Sequence, residues 1–310
     1  MKLAFLYAGQ GSQKVGMGID IYEKFPEYRK LVDQFSPEYY ELMKEGPLER
    51  LSQTANTQPC MAIFAAGVTD VLKKYGIHPA YAAGLSLGEY GALYAAGVWD
   101  VKTYIALTEF RGKQMEASAK GIPFKMTAIL KLDRTLLQEA CKEASQEGYV
   151  TIVNYNCPGQ YVIGGDEKAV DIAEKIASSK GAKRCIPLNV SGPFHTKYMH
   201  SASEALALQF QQIEWKEPII PVVSNVTGKL IQNEESIPRL LELQVKSSVF
   251  FEDSIQTLLD EGVDTIIEIG PGKVLSGFVK KINPSICCLS IETAQELEQV
   301  ITVMKEMDNE

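Results

Sequence analysis

The sequence is poor in the residue patterns that hold metal ions. It contains three histidines, His78, His195 and His200, and none of its six cysteines forms a C-x-x-C pair. Structural and catalytic metal sites are usually built from closely spaced ligands of these types. We therefore expect neither a metal nor a cofactor. The scattered cysteines are typical of reduced thiols in the cytoplasm.

The sequence also lacks an excess of positive charge and any long apolar run. Its formal net charge is −8, which argues against general binding to nucleic acids or anionic membranes. No run reaches the roughly 18 apolar residues of a membrane span. Residues 1–7 are apolar but too short for a signal peptide, so a cytoplasmic location is expected. The chain has 310 residues, of which 45% are hydrophobic, enough for one large domain or two.

A glycine-flanked serine is the first positive signal. Ser86 lies between Gly84 and Gly88 in a G-x-S-x-G pattern, after a strand-like run at residues 80–85 and before a helix-like run. A sharp strand-to-helix turn has room only for glycine two residues from the serine. Such a turn exposes the hydroxyl and directs the N–H groups of a helix N-terminus at an anion. The pattern predicts a nucleophile, with an ordinary glycine-rich turn as the alternative.

A nucleophilic serine needs a base, and the three histidines leave a narrow choice. His78 lies in a predicted connection and His200 on a predicted helix, whereas His195 lies in a Gly/Pro-rich loop at a domain junction. No acid stands out to orient it, but a main-chain carbonyl can do so. The N–H of Leu87 and an N–H of the glycine-rich loop around Gln10 are the candidates for an oxyanion hole.

The predicted elements change character near residue 125. Residues 125–188 follow the order β-α-β-β-α-β, which is typical of a ferredoxin-like unit, and we interpret them as a small domain inserted into a larger α/β one. In the larger part we predict buried strands at residues 2–8 and 265–269 and a strand at residues 221–226. We also predict a buried helix over Cys60–Leu72 with Pro59 in its first turn.

Arg111 and Gly112 are adjacent in a helix predicted over residues 100–118. A glycine inside a helix costs about 1 kcal/mol relative to alanine. We therefore predict that something approaches the helix closely there. Most helical arginines are solvated, and Arg111 alone could be one of them.

Together and in this order, several motifs resemble the malonyl-CoA:acyl carrier protein transacylase family of fatty-acid synthesis. The resemblance covers essentially the whole chain. The matching segments are residues 9–13 (GQGSQ), 84–89 (GLSLGE), 111–112 (RG), 156–160 (NCPGQ), His195 after a Gly-Pro turn, and 270–272 (GPG).

The resemblance implies a role for each residue of the predicted catalytic group. Ser86 would carry the acyl group and His195 would be its base. The N–H groups of Gln10 and Leu87 would form the oxyanion hole. Gln244 matches a glutamine whose main-chain carbonyl orients the histidine.

The resemblance also implies the residues that bind the substrate. Arg111 would pair with the free carboxylate of malonyl, for which a planar guanidinium is well shaped. Asn156 matches a residue lining the cleft. Phe194 is a bulky residue before the histidine, which favours malonyl over branched acyl groups. Leu85 departs from the family, in which many members have histidine before the nucleophile.

The implied fold is α/β, with an α/β-hydrolase-like large domain formed by residues 1–124 and 190–310 and a ferredoxin-like small domain at 125–189. The implied partners are malonyl-CoA and an acidic acyl carrier protein, and the implied state is a monomer. Because this chain is also acidic, we predict a local basic patch. Its candidates are Lys113, Lys183, Arg184 and Lys197.

Three alternatives remain open at this stage. A thioesterase or esterase could use the same serine and histidine, although it has no reason to place Arg111 in its cleft. A non-catalytic scaffold that binds carrier protein has no need of either Ser86 or His195. An acyltransferase that serves polyketide synthesis is also compatible with the sequence.

Overall fold

The computed structural model describes residues 1–232 and 236–307, which form a mixed α/β fold with two sheets. The strands are β1 (Leu3–Tyr7), β2 (Tyr81–Gly84), β3 (Lys125–Leu130), β4 (Val150–Cys157), β5 (Gln160–Gly165), β6 (Arg184–Pro187), β7 (Val249–Phe250), β8 (Thr265–Ile269) and β9 (Cys287–Ile291). The helices are α1 (Ile19–Lys24), α2 (Pro26–Val32), α3 (Pro37–Glu45), α4 (Leu48–Leu51), α5 (Thr54–Lys74), α6 (Leu87–Ala95), α7 (Val101–Ala119), α8 (Arg134–Ala144), α9 (Glu167–Ser179), α10 (His200–Phe210), α11 (Ile237–Gln244), α12 (Phe251–Asp260), α13 (Val274–Ile282) and α14 (Ala294–Met307), with a 3₁₀ turn at Lys197–Met199 before α10.

The first sheet is parallel, with strand order β2-β1-β8-β9. Every residue of β1 and β8 is buried, because helices cover both faces of the sheet, as the continuous apolar runs predicted. The strands predicted at residues 2–8 and 265–269 are confirmed. The carboxyl ends of β1, β2 and β8 meet at one edge, where loops of open α/β sheets form binding sites.

The strand predicted at residues 221–226 is wrong. Only Val222 and Val223 form bridges, with Ala82 and Leu230. Pro221 has no N–H to donate to a ladder. Beyond Val223 the chain turns back, and the N–H of Gly228 donates to the carbonyl of Ser224 at 2.8 Å.

The second sheet has the order β6-β3-β5-β4-β7. The predicted succession β-α-β-β-α-β is confirmed for β3 to β6. The sheet also includes β7, which lies far downstream and pairs in parallel with β4, with Asn154 opposite Val249 and Tyr155 opposite Phe250. The second sheet therefore extends beyond residues 125–189.

Helix α5 begins earlier than the sequence predicted. It starts at Thr54, so Pro59 lies inside the helix and not in its first turn. The additional turn was missed because its buried residues are polar: Thr54, Thr57 and Gln58 are fully buried without being hydrophobic. The hydroxyl of Thr57 donates to the carbonyl of Leu51 at 2.6 Å, which satisfies it inside the core.

The close approach predicted at Gly112 is confirmed. A Cβ on Gly112 would lie 2.6 Å from the carbonyl oxygen of Thr54, so only glycine lets α7 pack this tightly on the start of α5. This packing places Arg111, the preceding residue of α7, in the protein interior beside the end of β2. No helix in residues 1–232 and 236–307 combines the length and apolarity needed to cross a bilayer.

Candidate active site

Ser86 occupies a strained turn between β2 and α6. Its backbone has φ 55° and ψ −104°. Residues other than glycine rarely adopt this conformation, which persists only where the surrounding packing enforces it. A Cβ on Gly84 would lie 2.1 Å from the carbonyl carbon of Gly88, and one on Gly88 would lie 2.1 Å from the carbonyl oxygen of Tyr7. Gly84 therefore lets the turn close on the start of α6, and Gly88 lets the turn pack directly onto β1.

His195 contacts the hydroxyl of Ser86. The distance from Nε2 of His195 to Oγ of Ser86 is 2.7 Å, and Nδ1 lies 2.9 Å from the carbonyl oxygen of Gln244. Because a carbonyl only accepts, Nδ1 carries the proton and Nε2 accepts from the serine hydroxyl. This is the arrangement of a base held in one tautomer.

The surroundings of His195 keep its imidazole neutral. Burial, and secondarily the positive charge of Arg111, lowers the pKa of His195 to about 4. A neutral imidazole at physiological pH can accept the serine proton. The other histidines lie elsewhere: His78 is exposed, and His200 is exposed and faces Glu204 on its own helix at 3.3 Å.

Arg111 places a buried cation beside the serine. Only 1% of its surface is exposed. One terminal nitrogen donates to Oε1 of Gln58 at 2.9 Å, and the other donates to Oε1 of Gln244 at 2.9 Å and to Oγ of Ser86 at 3.2 Å. The guanidinium also lies 5.3 Å from the ring centre of Tyr90. Within residues 1–232 and 236–307 Arg111 forms no salt bridge, so its hydrogen-bond partners are neutral.

Asn225 holds the strained turn at Ser86 through two hydrogen bonds. Its Oδ1 accepts from the N–H of Ser86 at 2.6 Å, and its Nδ2 donates to the carbonyl of Gly84 at 2.7 Å. Sequence reasoning missed this residue. The available signal was the polar pair Ser224-Asn225 directly after residues 221–223, a segment that bridges to Ala82 of β2.

The elements of the predicted oxyanion hole meet at the carboxyl edge of the first sheet. Leu87 is the first residue of α6, so its N–H has no acceptor within the helix. The loop that carries Gln10 lies against the turn, since a Cβ on Gly9 would be 2.5 Å from the carbonyl oxygen of Leu85. The side chain of Gln10 donates to Oγ1 of Thr54 at 3.0 Å, which fixes the loop to α5.

The remaining predicted substrate contacts are less closely tied to Ser86. Phe194 is buried next to His195, with its ring against Gly192. Asn156 is buried in β4, and its Oδ1 has no hydrogen-bond partner among the described residues. Among the described residues, Asn156 makes no hydrogen bond to Ser86, His195 or Arg111.

The candidates for a basic patch lie on separate elements. Lys113 on α7 pairs with Glu109 at 2.5 Å, while Lys197 lies 4.3 Å from the ring centre of Tyr149. Lys183 and Arg184 are exposed at the start of β6. Across residues 1–232 and 236–307, no three His, Cys, Asp or Glu side chains are grouped to hold a metal ion.

Comparison with known families decides the class of this site. Residues 4–303 match the model of the acyl transferase domain. The chain belongs to the acyl transferase family. The turn at Ser86 brings a serine hydroxyl, a histidine and a helix N-terminus together, an arrangement that suits acyl transfer.

Individual acyl transferases resemble the chain over nearly its full length. The malonyl CoA-acyl carrier protein transacylase of Bacillus subtilis is 40% identical over 310 residues, covering 98% of both chains. The crystal structure of MCAT from Streptococcus pneumoniae superimposes with a TM-score of 0.93 at 40% identity, covering 97% of this chain and 100% of that one. The malonyl-transacylase PlMCAT, solved in complex with the type II PKS acyl carrier protein AntF, has a TM-score of 0.93 at 35% identity, covering 98% and 100%. The chain is therefore an acyltransferase by family.

Proposed function

We propose that this protein transfers malonyl from malonyl-CoA to the phosphopantetheine thiol of an acyl carrier protein, through a covalent malonyl-Ser86 intermediate. The observation that carries the proposal is the buried Arg111 beside the serine hydroxyl. A guanidinium held by neutral partners retains the capacity to bind a carboxylate in bidentate fashion. Arg111 also donates to Oγ of Ser86 at 3.2 Å, which supports a carboxylate site close to the attacking atom.

The first half-reaction loads the serine. Nε2 of His195 takes the hydroxyl proton as Oγ of Ser86 attacks the thioester carbonyl of malonyl-CoA. The resulting oxyanion accepts hydrogen bonds from the N–H groups of Gln10 and Leu87. When the C–S bond breaks, the imidazolium returns its proton to the sulfur and coenzyme A leaves.

The second half-reaction reverses these steps with a different thiol. His195 takes the proton of the phosphopantetheine thiol, whose sulfur attacks the malonyl ester on Ser86. The ester C–O bond breaks, and the proton passes from His195 to Oγ of Ser86. Arg111 holds the malonyl carboxylate during both half-reactions. This fixes the orientation of the acyl group and limits its attack by water.

Several finer assignments belong to the same proposal. Asn156 and Phe194 line the acyl site, with Phe194 limiting its width. Residues 125–189 form a ferredoxin-like domain inserted into an α/β-hydrolase-like domain made of residues 1–124 and 190–310. The strand order β6-β3-β5-β4 in the second sheet supports the description of residues 125–189 as ferredoxin-like. A cytoplasmic location and a monomeric state remain predictions from the sequence.

Trapping the acyl-enzyme tests the proposal. Incubation with radiolabelled malonyl-CoA should label wild-type protein on Ser86, and addition of holo-carrier protein should move the label to the carrier. Ser86→Ala, as the control, should take up no label. If the label appears in free malonate at the same rate with and without carrier, the protein is a thioesterase. Carrier binding without labelling of the wild type would indicate a scaffold.

The pathway that uses the product is a separate question. We propose fatty-acid synthesis, while PlMCAT binds a type II PKS carrier. Comparing kcat/KM for carriers of the two classes distinguishes the assignments. A preference for a polyketide carrier would overturn the pathway and leave the malonyl transfer intact.

A further inference from the structure

Glu89 is a buried carboxyl group that the transfer mechanism above does not use. It lies in the first turn of α6, three residues after the nucleophile, and none of its surface is exposed. Its Oε2 accepts from Nε2 of Gln244 at 2.5 Å and from the N–H of Asn225 at 3.2 Å. Both donors belong to residues that contact the catalytic group directly. Removing a carboxyl group fully from water is costly unless it is hydrogen-bonded or paired.

The side-chain amide of Gln244 stands between Glu89 and Arg111. Its Nε2 donates to Glu89 and to the carbonyl of Ser86 at 2.9 Å, and its Oε1 accepts from Arg111 at 2.9 Å. The hydrogen-bond chemistry fixes this orientation. With the amide turned over, Oε1 would face the carbonyl of Ser86, which only accepts, and Nε2 would face a guanidinium, which only donates.

We propose that Glu89 is a positioning residue that orients the Gln244 amide and thereby holds Arg111 where it binds the malonyl carboxylate. The inference rests on the role of Arg111 in the proposed function. Gln244 then acts twice: its main-chain carbonyl orients His195, and its side chain orients Arg111. Sequence reasoning assigned only the main-chain role.

The variants Glu89→Leu and Glu89→Gln distinguish a side chain that orients the Gln244 amide from one that only fills space. Leucine removes the acceptor, so the amide of Gln244 loses one of its fixed partners and Arg111 loses its defined position. We expect the ratio of kcat/KM for malonyl-CoA to that for acetyl-CoA to fall about tenfold. Glutamine keeps an acceptor at the same place, so we expect Glu89→Gln to retain the wild-type ratio within about threefold.

A double-mutant cycle tests whether Glu89 acts through Gln244. In a Gln244→Met background, which lacks the amide but keeps the main-chain carbonyl, Glu89→Leu should leave the malonyl-to-acetyl ratio unchanged. Acetyl loading of Ser86 and the thermal unfolding midpoint show that each variant is folded.

Three results would overturn the inference. They are an equal fall in kcat/KM for both substrates in Glu89→Leu, a loss of the ratio in Glu89→Gln as large as in Glu89→Leu, and persistence of the full effect without the Gln244 amide. Failure of the proposed function gives a different result, because the wild type itself would then show no preference for malonyl-CoA.

Discussion

At the scale of single residues, Arg111 separates this site from that of a plain esterase. Hydrolysis of a neutral ester requires no buried cation beside the serine, and burying one without a carboxylate partner is unfavourable. Burial lowers the pKa of Arg111, which is the direction expected for a cation that lacks water. A substrate carboxylate would supply the counter-charge that the described residues do not provide as a salt bridge.

Replacing Arg111 should therefore change selectivity more than chemistry. In Arg111→Ala we expect the malonyl-to-acetyl ratio of kcat/KM to fall about 100-fold, because the charge-assisted pair with the carboxylate is lost. Arg111→Lys is the matched control, since it keeps the charge but not the bidentate geometry. Its malonyl-to-acetyl ratio should lie between those of the wild type and Arg111→Ala. Steady-state kinetics with both acyl-CoAs measure the ratio. An unchanged ratio in Arg111→Ala would contradict the carboxylate-binding role.

Two buried groups near Ser86 have opposite effects on stability as pH changes. Burial raises the pKa of Glu89 from 4.5 to about 7 and lowers the pKa of His195 from 6.5 to about 4. Between about pH 4.5 and 6.5, the folded state holds a proton on Glu89 that the unfolded state has released. The unfolded state in turn holds one on His195 that the folded state lacks. Glu89 and His195 therefore contribute with opposite sign to the slope of the unfolding free energy against pH, and their contributions cancel.

Glu89→Gln should reveal the histidine contribution. Without the carboxyl group, the unfolded state binds the extra proton, so the free energy of unfolding should rise with pH by up to about 1.4 kcal/mol per unit relative to wild type in this window. Urea denaturation at several pH values between about 4.5 and 6.5 measures the difference. Parallel pH profiles for the two proteins would mean that Glu89 and His195 do not titrate in this way.

At the scale of elements, the turn from β2 to α6 depends on two glycines for steric reasons. A methyl group on Gly88 would meet the backbone of β1, which cannot move away without disturbing the first sheet. We expect Gly88→Ala to lower the unfolding free energy by about 3 kcal/mol and to reduce acyl loading of Ser86.

The control for this prediction is another helical glycine. Gly277 lies inside α13, and a Cβ there would have no atom within 4 Å. Gly277→Ala should therefore raise stability by about 0.5–1 kcal/mol through helix propensity. Thermal and urea unfolding of both variants measure the contrast. Equal effects of the two substitutions would show that the packing of Gly88 does not limit the turn.

The sequence predicted those elements whose signal lies within a short stretch. The turn at Ser86, the buried strands β1 and β8, and the close approach at Gly112 all have local patterns. Asn225 was missed because its role depends on a segment that only folding brings beside β2. The first turn of α5 was missed because polar residues such as Thr57 fill its buried positions, and hydrophobic patterning cannot detect a satisfied polar core.

At the scale of the whole molecule, the net charge of −8 is unfavourable for an acidic carrier protein. Salt would strengthen carrier binding if overall repulsion dominated and weaken it if a basic patch dominated. The predicted patch requires the second outcome. Raising the ionic strength should increase KM for the carrier, and steady-state kinetics across a salt series measure this.

Charge reversal at β6 tests the location of the patch. Lys183→Glu combined with Arg184→Glu should raise KM for the carrier about tenfold at low salt and less at high salt, while malonyl-CoA loading stays unchanged. Lys24→Glu combined with Lys30→Glu, at exposed positions on α1 and α2, reverses the same number of charges and is the control for overall charge. If both variants change KM equally, carrier docking does not involve the start of β6.

The two sheets are joined through a short segment at residues 244–250. At its beginning, Gln244 accepts from Nδ1 of His195 and Val245 accepts from the N–H of His195 at 3.0 Å. At its end, β7 pairs with β4 of the second sheet. A movement that separated the sheets would have to break the β4–β7 pair or release the histidine. In the proposed mechanism, the position of the second sheet relative to the first therefore bears directly on the orientation of the base, His195.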